Sequence, residues 1–293
     1  MTTVLHVLGS GSSGNAALLH HNGYGVLIDS GLGPAELTNR LQIVGETWAG
    51  VNAVLLTHTH TDHWNKHTLA QLRRLNIPFV AHEKHHQILW TVPTYDPLHR
   101  AGLLRTFTAD SPLTLNDDLT LRVCQVSHDA DPTFAFRIES ASFSVGWATD
   151  LGFVPDELLG FLHGVDVLGI EFNHDLEMEK RSRRPRHLIE RVLSDMGHLS
   201  NVQAVEAVSC LAAAGEFQAV VQLHLSRDCN APMLAHKTGR SVLSNSVRLV
   251  TAKPFEPCLP IYIEPRSTPK TLRPLPARQR APVQLAIPGL QKT

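Results

Sequence analysis

VNAVLLTHTHTDH, residues 51–63, is the stretch on which the fold turns. Its first half, 51–56, is a short apolar run with the length and β-branched content of a buried strand. Its second half is His58-Thr59-His60-Thr61-Asp62-His63. In a chain of 293 residues with 18 histidines, HxHxDH is expected by chance only ~0.003 times. Just beyond a strand end, alternation turns His58 and His60 to one side, while the turning chain carries Asp62 and His63 to a neighbouring position. Three imidazoles and a carboxylate suit zinc, manganese or iron, and they exceed what one tetrahedral catalytic ion with an open position requires. Two adjacent divalent ions are therefore expected, with further ligands from other strand ends.

Candidates for those ligands stand downstream. His128 lies in SHDADP after an apolar run at 119–126, Asp150 in ATDLG after 143–148, and His224 in LHLSRDCN at the end of 219–225. Any one of them alone reads as a structural or surface residue; together, each at a strand end, they read as ligands. Working outward, strand-like runs fall into two groups. The first is 3–8, 16–20, 26–29 and 51–56; the second is 119–126, 134–138, 143–148, 165–170, 219–225 and 247–251. Helical patterns occupy 34–43, 66–75, 83–89, 156–162, 187–195 and 201–214, with a short strand at 79–81. Two β-rich halves with interspersed helices predict an α+β fold, a four-layer αββα sandwich, rather than one doubly wound sheet.

The composition, 43% hydrophobic and 18% charged, is that of an ordinary globular protein. No apolar run approaches the ~18 residues of a membrane span, and the opening residues lack a signal-peptide pattern, so a cytoplasmic protein without membrane contact is expected. Cys124, Cys210, Cys229 and Cys258 form no CxxC pair, which argues against a zinc ribbon or a disulfide scaffold. The net charge of −1 averages two unlike segments: residues 264–293 carry +5 and six prolines, whereas the first 263 residues carry −6. The predicted organisation is a hydrolase domain at 1–263 and a Pro-rich basic tail at 264–293, extended and disordered, that attracts polyanions weakly.

With these motifs in place, the chain resembles the metallo-β-lactamase fold superfamily, and more closely its YycJ/WalJ-type branch of 5′–3′ exonucleases. The resemblance runs from residue 3 to about 251 and is carried by LGSGSSGNA, LIDSGLG, LTHTHTDH, SHDADP, ATDLG, IEFNHD, GHLSN and LHLSRDCN. HxHxDH alone indicates the superfamily; GSGSSGN, EFNHD and GHLSN together are more specific. The resemblance implies His58, His60 and His128 on one ion, Asp62, His63 and His224 on the other, and Asp150 bridging. It makes Asp29 the aspartate behind the ligands that orients a histidine. It also implies a two-metal phosphodiesterase hydrolysing nucleic acid, a 5′–3′ exonuclease acting on DNA rather than RNA. The ions would be Zn²⁺ or Mn²⁺, with a hydroxide held between them.

The remaining motifs fit around that chemistry. His198 in GHLSN is expected to protonate the leaving oxygen or bind the scissile phosphate, because phosphodiesterases of the superfamily carry a similar histidine before a helix. It joins Asp62 and Asp150 as the catalytic set. The helix start at 200–203 would offer N–H groups to an anion. Ser12, Ser13 and Asn15 in the opening loop present donors to a phosphate or to a neighbouring site residue. Asn173 or His174 would contact substrate, or join a network with Glu171. KRSRRPR, 180–186, holds five positive charges in seven residues between two site motifs, so Arg181, Arg183 and Arg184 are expected to follow a nucleic-acid backbone. His20, His21, His82, His85, His86, His99 and His236 read as solvated. With no large β-CASP-type insertion, the intervals 75–119 and 171–198 are left to wall a groove. The same site elsewhere in the superfamily serves thioester, lactone and β-lactam hydrolysis. A small-molecule ester, thioester or cyclic phosphodiester hydrolase is therefore the alternative, and a non-catalytic metal-binding module the third reading.

Overall fold

Period-two patterning of the first half forms the strands it predicts. The computed structural model describes residues 2–130, 132–268 and 270–277. It opens with β1 (Thr3–Gly9), β2 (Ala16–His21), β3 (Tyr24–Ile28), β4 (Ala53–Leu55), β5 (Phe79–His82) and β6 (Leu104–Phe107). There follow β7 (Leu113–Thr114), β8 (Thr120–Val126), β9 (Thr133–Glu139), β10 (Ser144–Ala148), β11 (Val167–Glu171), β12 (Ala219–Leu223), β13 (Arg248–Thr251) and β14 (Ile261–Tyr262). Among the described residues these make two seven-stranded sheets, ordered β14-β1-β2-β3-β4-β5-β6 and β13-β12-β11-β10-β9-β8-β7. Strands β3 to β6 are parallel, as are β10 to β13; the hairpins around them are antiparallel.

Alternation assigns each strand face to a layer. Leu5, Val7, Leu19 and Ile28 point between the sheets and meet Phe134, Phe136, Val145, Trp147 and Val221. Leu8, Leu18, Leu27 and Val54 face outward, beneath α1 (Pro34–Ile43) and α2 (Lys66–Leu75). That outer layer continues through α3 (Glu83–Leu89) and α4 (Asp96–Arg100). On the second sheet, Leu168, Ile170 and Val220 lie under α5 (Asp156–Leu162) and α8 (Asn201–Ala214), with α9 (Pro232–Arg240) beside them. Between β11 and α8 run the short α6 (Leu176–Lys180) and α7 (Arg186–Leu193). This is the four-layer αββα sandwich. Burying a leucine-sized side chain contributes roughly 1.5–3 kcal/mol, so face-to-face packing rather than helix propensity holds the layers together. Gly169 is needed for one such contact, since a Cβ there would lie 2.4 Å from Trp147 Cε3.

Several elements carry too little pattern to be read from sequence. β6, β7, α4, α6 and β14 are two to five residues long, shorter than the window over which a period registers. Helix α9 begins on a proline in a polar segment. The expectation of solvation fails for His21 and His85, which are buried.

The tail also departs from expectation in its first part. Lys270 Nζ sits 3.0 Å from Asp166 Oδ1 and donates to the carbonyls of Val165 and Glu216. Arg266 Nε is 3.4 Å from Asp166 Oδ2, and Arg273 N donates to Ala214 O. Leu275 packs on the second core. The reason is a buried carboxylate, Asp166, that needs cations and finds them in the tail. The expected disorder of 278–293 lies outside the described residues. No helix among the described residues is long and apolar enough to cross a membrane.

Candidate metal centre

Loops at the carboxyl ends of β3, β4, β8, β10, β11 and β12 converge on one edge shared by both sheets. Three of them turn in an unusual way. Asp29, Asp150 and His224, each close behind a strand, have φ of 59°, 58° and 53°. The left-handed region reverses the chain at once and swings the side chain back toward the sheet ends, at some cost in backbone strain. The loops are then sewn together. Asn15 N donates to Asp62 O at 2.7 Å, Ser30 N to His63 O at 2.8 Å and Gly31 N to Asn15 O at 3.0 Å. Gly31 allows this, since a Cβ there would lie 1.8 Å from Asp62 O.

The donor atoms gather in linked groups. His58, His60 and His128 offer ring nitrogens within 4.8 Å of one another, as do Asp62, His63 and His224 through nitrogens and a carboxylate oxygen. His58, His63 and Asp150 connect the two. Hydrogen bonds behind the cluster fix several tautomers. His63 donates Nδ1–H to Asp29 Oδ2 at 2.7 Å, and His128 donates Nδ1–H to Gly197 O at 2.9 Å. Thr57 donates N–H and Oγ–H to Asp29, leaving its oxygen to accept from His58 Nδ1 at 3.1 Å. Each of these rings thereby turns Nε2 toward the common centre.

Among the described residues, His58 Nε2 is buried and has no hydrogen-bond partner. A fully buried nitrogen without a partner, surrounded by imidazoles and carboxylates, is the chemistry of a cation ligand. The residues present therefore fit divalent metal binding.

Charges inside the cluster reinforce one another. Burial disfavours the charge on Asp62, yet His63 and His224 outweigh it and hold the carboxyl down at about 2. Burial pulls the other way on His224, where Asp150 and Asp62 lift the ring to about 9. His58, fully buried among other imidazoles, is pushed well below the usual histidine range. Burial and its neighbours thus favour the neutral ring, which keeps a lone pair for a cation.

His198 stands beside this cluster, its ring parallel to His224 at 5.3 Å between centroids. Its Nδ1 lies 2.7 Å from Glu171 Oε1. Burial opposes its protonation, but the Glu171 charge outweighs that and raises it. Glu171 is completely buried and also accepts from Leu151 N and Leu199 N. Glu171 is expected from sequence only as a network partner, although an acid closing the otherwise apolar strand VLGIE signals it. Asp129 is a second residue missed, 3.2 Å from His128 Nε2 and 3.5 Å from His60 Nε2, and ion-paired with Arg191 on α7. It directly follows a ligand candidate in sequence.

The proposed substrate contacts separate into two sets. Ser12, Ser13, Arg181 and Arg183 are exposed. Asn15 is turned inward, with Nδ2 3.3 Å from Asp62 Oδ2 and 3.0 Å from His63 Nε2. Asn173 donates to His224 O at 2.9 Å, and His174 is fully buried with its backbone paired to the segment at Ser200. Of the two roles expected for them, substrate contact or a framework network, their interior position favours the framework, because β11 ends against β12 and carries them inward. Arg184 is likewise occupied, 3.1 Å from the buried Glu179 and 3.1 Å from Asp228. At the start of α8, Ser200 and Gln203 form a reciprocal capping box and Asn201 N donates to His174 O. The N–H groups of Ser200, Asn201 and Gln203 are therefore committed to acceptors within the chain. Of the two intervals expected to wall a groove, 171–198 borders the site through Arg191, Asp195 and Gly197. The interval 75–119 instead builds β5, β6 and the outer helical layer.

Comparison with known proteins agrees with this geometry. Residues 24–224 match the family described as Beta-lactamase superfamily domain. The chain is 31% identical over 241 residues to exodeoxyribonuclease WalJ of Streptococcus pneumoniae serotype 2 (strain D39 / NCTC 7466), covering 79% of this chain and 85% of that protein. It is 28% identical over 242 residues to exodeoxyribonuclease YycJ of Bacillus anthracis, covering 81% and 88%. The crystal structure of the metallo-β-lactamase fold protein YhfI from Bacillus subtilis superposes with a TM-score of 0.64 at 20% identity, covering 89% of this chain and 100% of that one.

Proposed function

Because the chain belongs to the metallo-β-lactamase superfamily, and within it to the WalJ/YycJ exodeoxyribonucleases, we propose that it is a metal-dependent phosphodiesterase removing nucleotides from the 5′ end of DNA. The observation that carries this reading is the pair of linked donor groups with His198 and Glu171 directly beside them. His58, His60 and His128 would hold one divalent ion, and Asp62, His63 and His224 a second, with Asp150 between them. Two such ions, zinc or manganese, would supply an activated water near neutral pH and offset the charge gathering on the phosphodiester.

The chain's own residues do the rest. Asp29 keeps His63 in the tautomer that presents Nε2. His198, held charged by Glu171 through Nδ1, gives its other ring proton to the leaving oxygen. Arg191, steadied by Asp129, and the exposed Arg181 and Arg183 offer cations to the phosphates that flank the scissile one. The hydrolase domain spans 1–263, with the basic segment 264–293 appended to it. This reading assigns the chain to the cytoplasm.

The test is release of 5′ nucleotides from an end-labelled single strand with added Mn²⁺ or Zn²⁺, comparing wild type with Asp62→Ala and His198→Ala. Nucleotide release that both substitutions abolish supports the reading. Hydrolysis of small esters or thioesters with no action on oligonucleotides would favour the alternative chemistry instead.

A further inference from the structure

Three segments meet beside the metal centre at a point that none of the proposed chemistry uses. The first is the opening loop: His224 N donates to Ser10 Oγ at 2.8 Å, and Ser10 N donates to Lys253 O at 3.1 Å. The second is the chain leaving β13, whose Pro254 O accepts from the buried Arg40 at 2.9 Å. The third is the chain leaving β12. Gly11 is wedged between the last two, with Pro254 Cβ 3.5 Å and Leu225 O 3.7 Å from where its own Cβ would be. The backbone here is therefore fixed, and fixed to the residue that holds His224.

On that rigid base stands Phe255, 64% exposed. The guanidinium of Arg227, three residues past His224, lies 5.9 Å from its ring centroid. Nearby charges are already matched: Lys253 pairs with Glu256, and Asp228 pairs with Arg184. Arg227 has no carboxylate partner among the described residues. An exposed aromatic ring with an unmatched cation at its face, on a rigid mount next to a phosphodiesterase centre, is complementary to a nucleotide. The ring accepts the face of a base, and the guanidinium accepts a phosphate or stacks in turn.

We propose that Phe255 and Arg227 form a stacking platform for one unpaired base of the substrate strand. The platform rests on the nuclease reading and narrows it: the strand end must be single-stranded where it reaches this surface, and its sequence matters little, since every base has a stacking face. A duplex end would have to fray to use it.

The experiment pairs Phe255→Ala with a substrate change. A 5′-phosphorylated, 3′-fluorescein dT12 is titrated by anisotropy with divalent ions chelated to prevent turnover, and its hydrolysis is followed separately in Mn²⁺. A set of the same oligomer carrying one abasic site, moved along the strand, is run alongside. Phe255→Ala should weaken dT12 binding about 10-fold and raise KM with it, and Phe255→Trp should restore both. At one abasic position wild type should lose about the same 10-fold, while Phe255→Ala loses less than about twofold, because the partner of the missing base is already gone. Equal abasic penalties in the two proteins, or dT12 binding unchanged by Phe255→Ala, would overturn the platform. So would a loss of self-association on sedimentation with oligonucleotide binding intact, which would make the ring a subunit contact. Wild type that binds blunt duplex as tightly as dT12 would overturn the platform and leave the nuclease reading standing. Wild type that binds and cuts neither would overturn both.

Discussion

His198 Nδ1 lies 2.7 Å from Glu171 Oε1, while Glu171 Oε2 accepts the backbone N–H groups of Leu151 and Leu199 at 2.9 and 3.0 Å. The acid is thus held from the loop after β10 and from the loop before α8, and it holds the imidazole in one orientation. His198→Ala should lower kcat by about 10²–10⁴-fold, the range for loss of a positioned acid, with KM and bound metal little changed. Glu171→Gln removes the charge that keeps His198 protonated, so the alkaline limb of its pH–rate profile should move to lower pH. A profile identical to wild type would separate Glu171 from the acid's task.

Asp29 collects three donors in the interior, from His63 Nδ1 and from the N–H and hydroxyl of Thr57. It touches none of the space where substrate would lie. Asp29→Asn should therefore lower metal affinity by about 10–100-fold without changing which substrate is cut. Metal content after dialysis against graded chelator, measured by plasma emission, checks this.

Two arginines of the same region should behave oppositely. Arg184 neutralises Glu179, whose side chain is fully buried, so Arg184→Gln strands a buried charge and should destabilise the fold by about 3 kcal/mol in urea unfolding. Arg191 is half exposed and pairs with Asp129 at the edge of the site. Arg191→Gln should leave the urea midpoint within about 0.5 kcal/mol of wild type. It should weaken single-strand binding and reduce the slope of log K against log salt by about 0.7, as loss of one phosphate contact requires.

His85 is buried, and it donates Nε2–H to Pro132 O at 2.7 Å while Nδ1 accepts from His82 N. That pattern needs the neutral ring, and burial lowers its pKa from 6.5 to about 4. Between those values the unfolded chain binds the extra proton, so stability falls as pH falls through 6.5 and the loss is complete below 4. Acidifying from pH 7 to 5 should cost about 2 kcal/mol through this residue. His85→Gln, which keeps a donor for Pro132 O, should flatten the pH dependence of the urea midpoint by that amount. Equal slopes for the two proteins would refute the assignment.

The sequence by itself determined the sandwich and the location of the centre, because both depend on local pattern. Apolar alternation at period two places Leu5, Val7 and Leu19 on one face and Leu8 and Leu18 on the other. A ligand candidate just past a strand end is visible as a histidine or aspartate after an apolar run, as at His58, His128, Asp150 and His224. Tertiary structure decided what lies behind and around those residues. Asn15, Asn173 and Arg184 each look equally suited to a substrate or a neighbour, since a polar side chain in a loop carries no record of which way it points. Only the pairing of β11 with β12 and the stitching of Asn15 to Asp62 turned the two asparagines inward, and only the buried Glu179 and the exposed Asp228 claimed Arg184. The tail follows the same logic: Arg266 and Lys270 read as part of a disordered basic segment, until Asp166, buried 100 and 104 residues earlier, proves to be their partner. Phe255 and Arg227 lie 28 residues apart, and they meet beside the opening loop because the parallel strands β12 and β13 that precede them pair with each other. Local pattern fixes faces and ends because it depends on backbone geometry; partners across the fold depend on which ends are brought together, and that is a property of the packed chain alone.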